Sequence, residues 1–278
     1  MIKEIIVEIN KVKYQYQILK FLGEGSQSKV YKCKRKGEFQ FYAVKVFSKK
    51  LLEDKNNFIF RDLVNNEYMI HKDLDHPNIL KLFDYGKDEK YYYFFFDFCE
   101  GGSIMGKKLN PEKIKLYFSQ IISALIYLKE KKVLHLDIKP ENILIKNDKV
   151  KLCDFGLSVK LGAKDYVDGI KRGTLDYMSP EILNFSNVSY ETDLWSSVIV
   201  LCYMNFKISP FRYHSKNDDD KSYTNDNDMI EDNIKYRDEY LPKCSDSNLI
   251  DLIQNTLEKD PENRLKLDEI LNHPYLIL

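Results

Sequence analysis

The chain has 278 residues, enough to bury a sizeable core in one large domain or two small lobes, and its 43 basic and 43 acidic residues cancel to a formal net charge of zero. No one-sided field draws it to nucleic acid or to a membrane surface, so neither is expected as a partner. Five cysteines, an odd number without C-x-x-C spacing, indicate neither a disulfide framework nor a zinc site and point to a reduced intracellular compartment, cytoplasmic or nuclear.

The first ten residues alternate charge with short apolar pieces and lack a signal-peptide core, and no run approaches the length of a membrane span. Residues 14–47 read as three strands, Tyr16 to Phe21, Val30 to Lys34 and Phe41 to Val46, with the turn GEGSQSK between the first two. Glycines in such a turn let backbone amides approach an anion. Leu63, Glu67, Ile70 and Leu74 recur at helical spacing, which predicts a helix with Glu67 on its inward stripe. Leu80 to Gly86 and Tyr91 to Phe98 read as a hairpin around Lys87 to Lys90, and the aromatic run is most simply strand core. Asn110-Pro111-Glu112 is a helix start, with an N-cap, a proline at the first position and an acid in the first turn. Ile114, Phe118, Ile121, Leu125 and Leu128 form its buried stripe, and Lys131-Lys132 end it favourably for its dipole.

The stretch Val133 to Gly156 concentrates the chemistry. Asp137 and Asn142 lie in a polar loop between the apolar pairs Val133-Leu134 and Ile143-Leu144, and Asp154 follows an alternating strand, with Gly156 expected to free the backbone to turn away. Asp193 to Met204 reads as an apolar helix. Residues His214 to Asp228 are polar and low in complexity; the EF-hand spacing from Asp218 fails at Tyr223 and Met229, so a solvated insertion is expected there.

These residues resemble the catalytic domains of eukaryotic-type protein kinases, serine/threonine branch. His135-Leu136-Asp137 with Asn142 resembles the catalytic loop, Asp154-Phe155-Gly156 the metal-binding triplet, Gly23 and Gly25 the glycine-rich loop, and Ala43-Val44-Lys45 the lysine-bearing third strand. Gly173-Thr174 and Ser179-Pro180-Glu181 are similar to the close of the activation segment. The resemblance covers roughly Tyr14 to Leu278. It implies an α+β, bilobal protein kinase fold: an N-lobe at about 14–98 with a small antiparallel sheet and one major helix, a hinge at about 97–102, and a mostly helical C-lobe at about 103–278 carrying a polar insertion at about 214–228, with ATP in the cleft between lobes.

The resemblance also implies the reaction and the residues that carry it. The γ-phosphate of ATP passes to a Ser or Thr hydroxyl of a protein substrate, with Mg²⁺ neutralising the phosphate charge. Asp137 is expected to orient the acceptor hydroxyl and take its proton, Lys139 to sit near the transferred phosphate and meet Thr174, and Lys45 with Glu67 to anchor the nucleotide. Asn142 and Asp154 are the expected metal ligands. Leu22, Gly23, Glu24, Gly25, Val30, Ala43, Lys45, Asp97, Cys99, Leu144 and Asp154 are the expected ATP contacts, with Phe96 at the back of the pocket. Asp193 is expected to anchor the catalytic-loop backbone and Arg264 to pair with Glu181.

Several positions depart from the family pattern. Ser28 stands where a third glycine is usual, and His71 where an aliphatic residue is more often buried. Leu136 replaces the arginine that in many relatives receives an activation-loop phosphate, and Ser158 and Tyr166 are the only hydroxyls between Phe155 and Gly173. Activity without activation-loop phosphorylation is therefore expected. Two other readings stay open: a pseudokinase acting as scaffold or allosteric partner, and a dual-specificity kinase. Room is left for a regulatory protein of unspecified identity.

Overall fold

The computed structural model describes residues 4–9, 11–25, 28–53, 58–212 and 226–277. The chain forms two compact units, one from residues 1–102 with 144–151 and the other from 103–143 with 152–278.

The first unit is built on β1 (Glu4–Ile9), β2 (Val12–Glu24), β3 (Ser28–Arg35), β4 (Phe41–Ser48), α1 (Lys49–Glu53), α2 (Phe58–His71), β5 (Leu82–Lys87) and β6 (Tyr91–Asp97). Its sheet has the order β1-β2-β3-β4-β6-β5, antiparallel throughout. The three strands expected after residue 14 are present, and the sheet begins one strand earlier. Glu4 to Ile9 alternates exposed and buried positions, so Ile5, Val7 and Ile9 point inward while Ile6 stays 57% exposed. That period of two was legible in the sequence and marks a strand where only charge alternation was expected. Three aliphatic side chains buried this way contribute about 1.5–3 kcal/mol each.

Period-two alternation gives this sheet two different faces. Tyr16, Tyr42, Val44, Val46, Tyr93 and Phe95 share a core with Ile5, Val7 and Ile9. The alternate residues of the same strands turn toward α2: Phe94 lies 6.0 Å from Tyr68 and Phe96 lies 5.3 Å from His71, ring centre to ring centre. With apolar neighbours on both sides, β6 is buried from Tyr93 to Asp97, and this explains its unbroken aromatic run. The β5–β6 turn is held by Asp88, whose Oδ1 accepts the backbone N–H groups of Lys90 and Tyr91 at 2.7 and 2.8 Å. Helix α2 stops at His71, so Leu74 is buried beyond the helix and is not on its stripe.

The second unit starts with α3 (Pro111–Glu130), capped by Asn110, whose side chain accepts from the Lys113 N–H at 2.9 Å. The expected stripe from Ile114 to Leu128 is buried. Next in the chain come β7 (Val133–Leu134), β8 (Ile143–Lys146) and β9 (Lys149–Leu152); β8 and β9 pair, and residues 144–151 of this hairpin belong to the first unit. Strand β10 (Val159–Lys160) returns beside β7. Helices α4 (Pro180–Leu183), α5 (Tyr190–Phe206), α6 (Asp226–Tyr236) and α7 (Ser247–Thr256) complete the unit. Helix α5 is buried on almost every side, with Trp195 stacked on Phe211 at 5.4 Å.

Of the polar stretch expected at 214–228, residues 214–225 lie outside the described residues. Asp226, Asn227 and Asp228 open α6, where acidic side chains complement the helix N-terminus.

Candidate active site

In the first unit Val30, Ala43 and Lys45, three of the expected nucleotide-binding residues, sit on the face of the sheet that α2 covers. Gly23 of β2 pairs with Val30 of β3, and Val30 pairs in turn with Lys45 of β4, so these three residues form one cross-strand row. Ala43, two residues before Lys45, lies on the same face. The Lys45 ammonium donates to both carboxylate oxygens of Glu67 at 2.9 Å. The pair is well shielded, with side-chain exposures of 16% and 4%. Glu67 is therefore on the inward stripe, as the helical spacing predicts.

The end of β2 carries Leu22, which is exposed, then Gly23 and Glu24; beyond it the Gly25 N–H donates to the Ser28 carbonyl at 2.8 Å. Ser28 is buried and already part of β3, so its side chain packs at the base of the turn rather than at a flexible tip. His71 is buried, with Nε2 2.5 Å from the Leu80 carbonyl oxygen. A polar contact thus takes the place of the aliphatic one that is more usual.

The segment expected as the hinge is tied to the β8–β9 tip. The Asp97 carboxylate pairs with Lys146, the Gly101 N–H donates to the Ile145 carbonyl at 3.0 Å, and the Ile145 N–H donates to the Gly102 carbonyl at 2.8 Å. A Cβ on Gly101 would lie 2.9 Å from the Ile145 carbonyl oxygen, so a side chain there cannot coexist with this pairing. Leu144, half-buried, is in the same tip. Burial pushes the Cys99 thiol up to about 12, leaving it protonated and passive. Lys146 escaped sequence reasoning, because only folding places it beside Asp97.

The second unit gathers the rest. Asp137 is buried at the centre of a closed set of contacts. Its Oδ1 accepts the Thr174 hydroxyl at 2.8 Å, and its Oδ2 meets the Lys139 ammonium at 2.8 Å and the Asn142 side-chain N–H at 2.9 Å. Lys139 also donates to the Thr174 hydroxyl oxygen at 2.8 Å. Asn142 spends its amide nitrogen on Asp137, on the backbone carbonyl as well as the carboxylate, and so presents Oδ1 as its acceptor end. The Cys153 N–H donates to the Asn142 carbonyl at 2.9 Å, which sets Asp154 close along the chain from Asn142.

Asp154 itself holds a left-handed backbone at this turn, with φ 68°. The strain is therefore carried by the carboxylate-bearing residue, as happens where surrounding contacts over-determine a functional loop.

The loop that holds Asp137 is supported from below. Asp193 of α5 accepts the His135 N–H at 2.6 Å and the Leu136 N–H at 2.8 Å. Burial pushes the Asp193 carboxyl up, while nearby His135 and these two amide hydrogen bonds pull the other way. His135 Nδ1 accepts the Asp137 N–H at 3.2 Å, Nε2 lies 3.1 Å from the Cys153 carbonyl oxygen, and the ring packs edge-on against Phe155. Ser158, fully buried, donates to the His135 carbonyl at 3.1 Å. That structural use of Ser158 left no sequence signal. Gly173, with φ 116°, passes so close that a Cβ there would lie 2.5 Å from the Leu136 carbonyl oxygen. Further out, Arg264 grips Glu181 through two hydrogen bonds of 2.7 Å, both side chains being buried.

An oxygen-preferring divalent cation suits the donors Asn142 Oδ1 and the Asp154 carboxylate. Among the described residues, no group of three or more His, Cys, Asp or Glu is arranged to hold a metal by itself. A pair of hard oxygen donors fits Mg²⁺, which retains several waters and takes few protein ligands. No helix among the described residues is long and apolar enough to cross a membrane.

A family model described as protein kinase domain matches residues 16–276. Over 274 residues the chain is 34% identical to an Aurora kinase of Debaryomyces hansenii, covering 94% of this chain and 62% of that protein. It is 33% identical to Protein kinase 3 of Dictyostelium discoideum, over 95% of this chain and 30% of the relative. It is 32% identical to the serine/threonine-protein kinase ULK3 of Xenopus laevis, over 92% and 54%. The chain thus spans between 30% and 62% of these relatives' lengths. The match across residues 16–276, together with a two-unit architecture of antiparallel sheet and helical body, means that this chain belongs to the protein kinase domain family.

Proposed function

We propose that this chain is a protein serine/threonine kinase that transfers the γ-phosphate of ATP to Ser or Thr hydroxyls of a protein substrate. One observation carries the reading: Asp137 Oδ1 accepts a hydroxyl O–H, that of Thr174, at 2.8 Å, while Lys139 holds the same hydroxyl oxygen. This carboxylate thus already makes the hydrogen bond a substrate hydroxyl requires.

In the reaction the acceptor oxygen bonds to the γ-phosphorus, the bond from that phosphorus to the β–γ bridging oxygen breaks, ADP departs, and the acceptor proton goes to the Asp137 carboxylate. Lys139 stabilises charge on the phosphoryl oxygens as they pass. Lys45, oriented by Glu67, anchors the α- and β-phosphates. The glycine turn at Gly23 and Gly25 offers amides to the phosphates, Val30, Ala43 and Leu144 offer apolar surface to adenine, and the backbone at Asp97 and Cys99 offers its polar edge. Asn142 and Asp154 would hold Mg²⁺, which when bound neutralises phosphate charge.

Activity independent of activation-loop phosphorylation is part of the proposal. Leu136, buried, cannot receive a phosphate, and the Ser158 hydroxyl is buried against the His135 carbonyl. Regulation by a partner protein is compatible with a chain whose relatives are longer.

The test is Mg²⁺-dependent transfer of labelled γ-phosphate from ATP to a generic basic protein, comparing phosphatase-treated wild type with Asp137→Ala. Transfer by the wild type, reduced ~10²–10⁴-fold in the variant, is expected. ATP binding without transfer would overturn the enzyme reading in favour of a pseudokinase. Activity that returns only after phosphorylation of a loop residue would overturn the regulatory part, and phosphotyrosine among the products would make the chain dual-specific.

A further inference from the structure

The N-terminal strand β1 has no role in the chemistry above, yet it is an edge strand of the sheet that carries Lys45 and sends three side chains into the core on one of its faces. Ile5, Val7 and Ile9 complete the core formed with Tyr16, Tyr42 and Phe95. Val7 also crosses to the far edge of the sheet, where it seats on Gly86 of β5: a Cβ built on Gly86 would overlap Val7 Cγ2. Glycine is required at this position by the close approach of β1. Two more interior contacts reach the same strand, since Asp84 of β5 accepts the Tyr16 hydroxyl at 3.2 Å and faces the Arg35 guanidinium at 3.5 Å.

Strand β5 alternates between its two sides. Asp84 and Gly86 turn to the interior, and Tyr85 between them turns to α2, where its ring lies 4.6 Å from that of Tyr68. Tyr68 is the residue after Glu67. The Leu80 carbonyl, just before β5, meets His71 at 2.5 Å, one helical turn beyond Glu67. An open groove of about 410 Å³ lies at the junction, with Glu8 and Ile9 on its β1 side and Tyr68 and Lys72 on its helix side. Support from β1 to α2 therefore runs through β5.

We propose that β1 braces the phosphate-anchoring pair: Val7, seated on Gly86, holds β5 against α2 and so keeps Glu67 in register with Lys45. Val7 and Gly86 are positioning residues, and the proposal rests on the kinase reading only for its effect on turnover. The Val7–Gly86 contact has no slack of its own, so a Cβ added at Gly86 meets Val7 rather than the neighbouring groove and displaces β5. A strand pushed outward at Gly86 carries Tyr85 with it, and Tyr85 carries the turn of α2 that bears Glu67.

The experiment compares Gly86→Ala, Val7→Ala and the double variant with wild type, well below the melting temperature of each. Two readouts are taken: amide hydrogen exchange over residues 58–71, and kcat and KM for Mg²⁺-ATP. Gly86→Ala is expected to speed exchange in α2 about tenfold and to lower kcat/KM for ATP by a similar factor. The double variant is expected to recover most of both, because removing the Val7 methyl groups vacates the volume the new Cβ needs. A merely structural role would lower the melting temperature while leaving α2 exchange and kcat/KM of the folded protein unchanged. That outcome, or a loss that the double variant fails to restore, overturns the proposal. Should Gly86→Ala not fold, Val7→Ala decides by itself: faster exchange in α2 with β3 and β4 unchanged supports the brace, and unchanged α2 exchange overturns it. A wild type that transfers no phosphate would refute the kinase reading and leave the exchange result to judge the brace.

Discussion

The Asp193 carboxylate accepts the backbone N–H of Leu136 at 2.8 Å, and Leu136 holds a left-handed backbone with φ 64°. Outside glycine that conformation costs about 1–3 kcal/mol, so it persists only where neighbours enforce it. The enforcement comes from α5 below and from Gly173, whose lack of a side chain leaves room for the Leu136 carbonyl. The next residue is Asp137, so the strained backbone aims the proposed base.

Asp193→Ala removes the acceptor of two buried N–H groups. Each unsatisfied donor costs about 1–3 kcal/mol, so a loss of roughly 2–6 kcal/mol in urea unfolding is expected, with kcat falling further than KM for ATP rises. Unchanged stability would show that water replaces the carboxylate without cost.

Glu67→Gln keeps the shape of the side chain and removes the charge that orients Lys45. Misplacement of a positioning group by about 1 Å can cost on the order of 10²-fold, so kcat/KM for ATP should fall between 10- and 100-fold. Melting temperature should change little. Steady-state kinetics at varied ATP, beside thermal melts, checks both.

The Glu181–Arg264 pair is bidentate and almost fully buried. Arg264→Leu leaves a carboxylate behind and should cost about 3–5 kcal/mol. Burial raises the Glu181 carboxyl, but the Arg264 hydrogen bonds and charge outweigh it and leave the group below its ordinary value of 4.5. The depressed folded-state value means that this contribution is fully present above about pH 4.5 and disappears as pH falls further. The stability difference between wild type and Glu181→Gln should shrink across that acid range. A difference constant down to pH 3 would contradict the assignment.

Lys259 offers the opposite sign. Its ammonium lies 4.2 Å from the centre of the Phe211 ring and 5.4 Å from that of Trp195, with no hydrogen-bond partner among the described residues. Burial pushes it down to about 8 from the usual 10.5. Between those values the folded chain binds fewer protons than the unfolded one, so stability attributable to Lys259 rises with pH across the window. Chemical denaturation of wild type and Lys259→Met at pH 7.5 and pH 10 should show the wild type gaining on the variant; parallel curves would refute this.

Much of this arrangement was legible before folding was considered. The helix from Pro111 announced itself by cap, proline and stripe, and each of those signals is local. The β5–β6 hairpin was similarly plain from its charged turn between apolar runs. Strand β1 was missed because its period-two pattern is short and flanked by charge. The left-handed backbone of Asp154 left no local signal, since tertiary contacts hold a non-glycine residue there.

The sequence by itself determined the family and the main elements from Tyr14 onward, and it singled out the groups proposed to handle phosphate, because motif spacing and hydrophobic period are properties of neighbouring residues. Tertiary structure alone decided which distant groups meet: Thr174 with Asp137, Lys146 with Asp97, Ser158 with the His135 carbonyl, and Val7 with Gly86. The physical reason is that contacts across 37, 49, 23 or 79 positions depend on how whole faces pack. Close packing selects those pairings from many that local pattern leaves equally open.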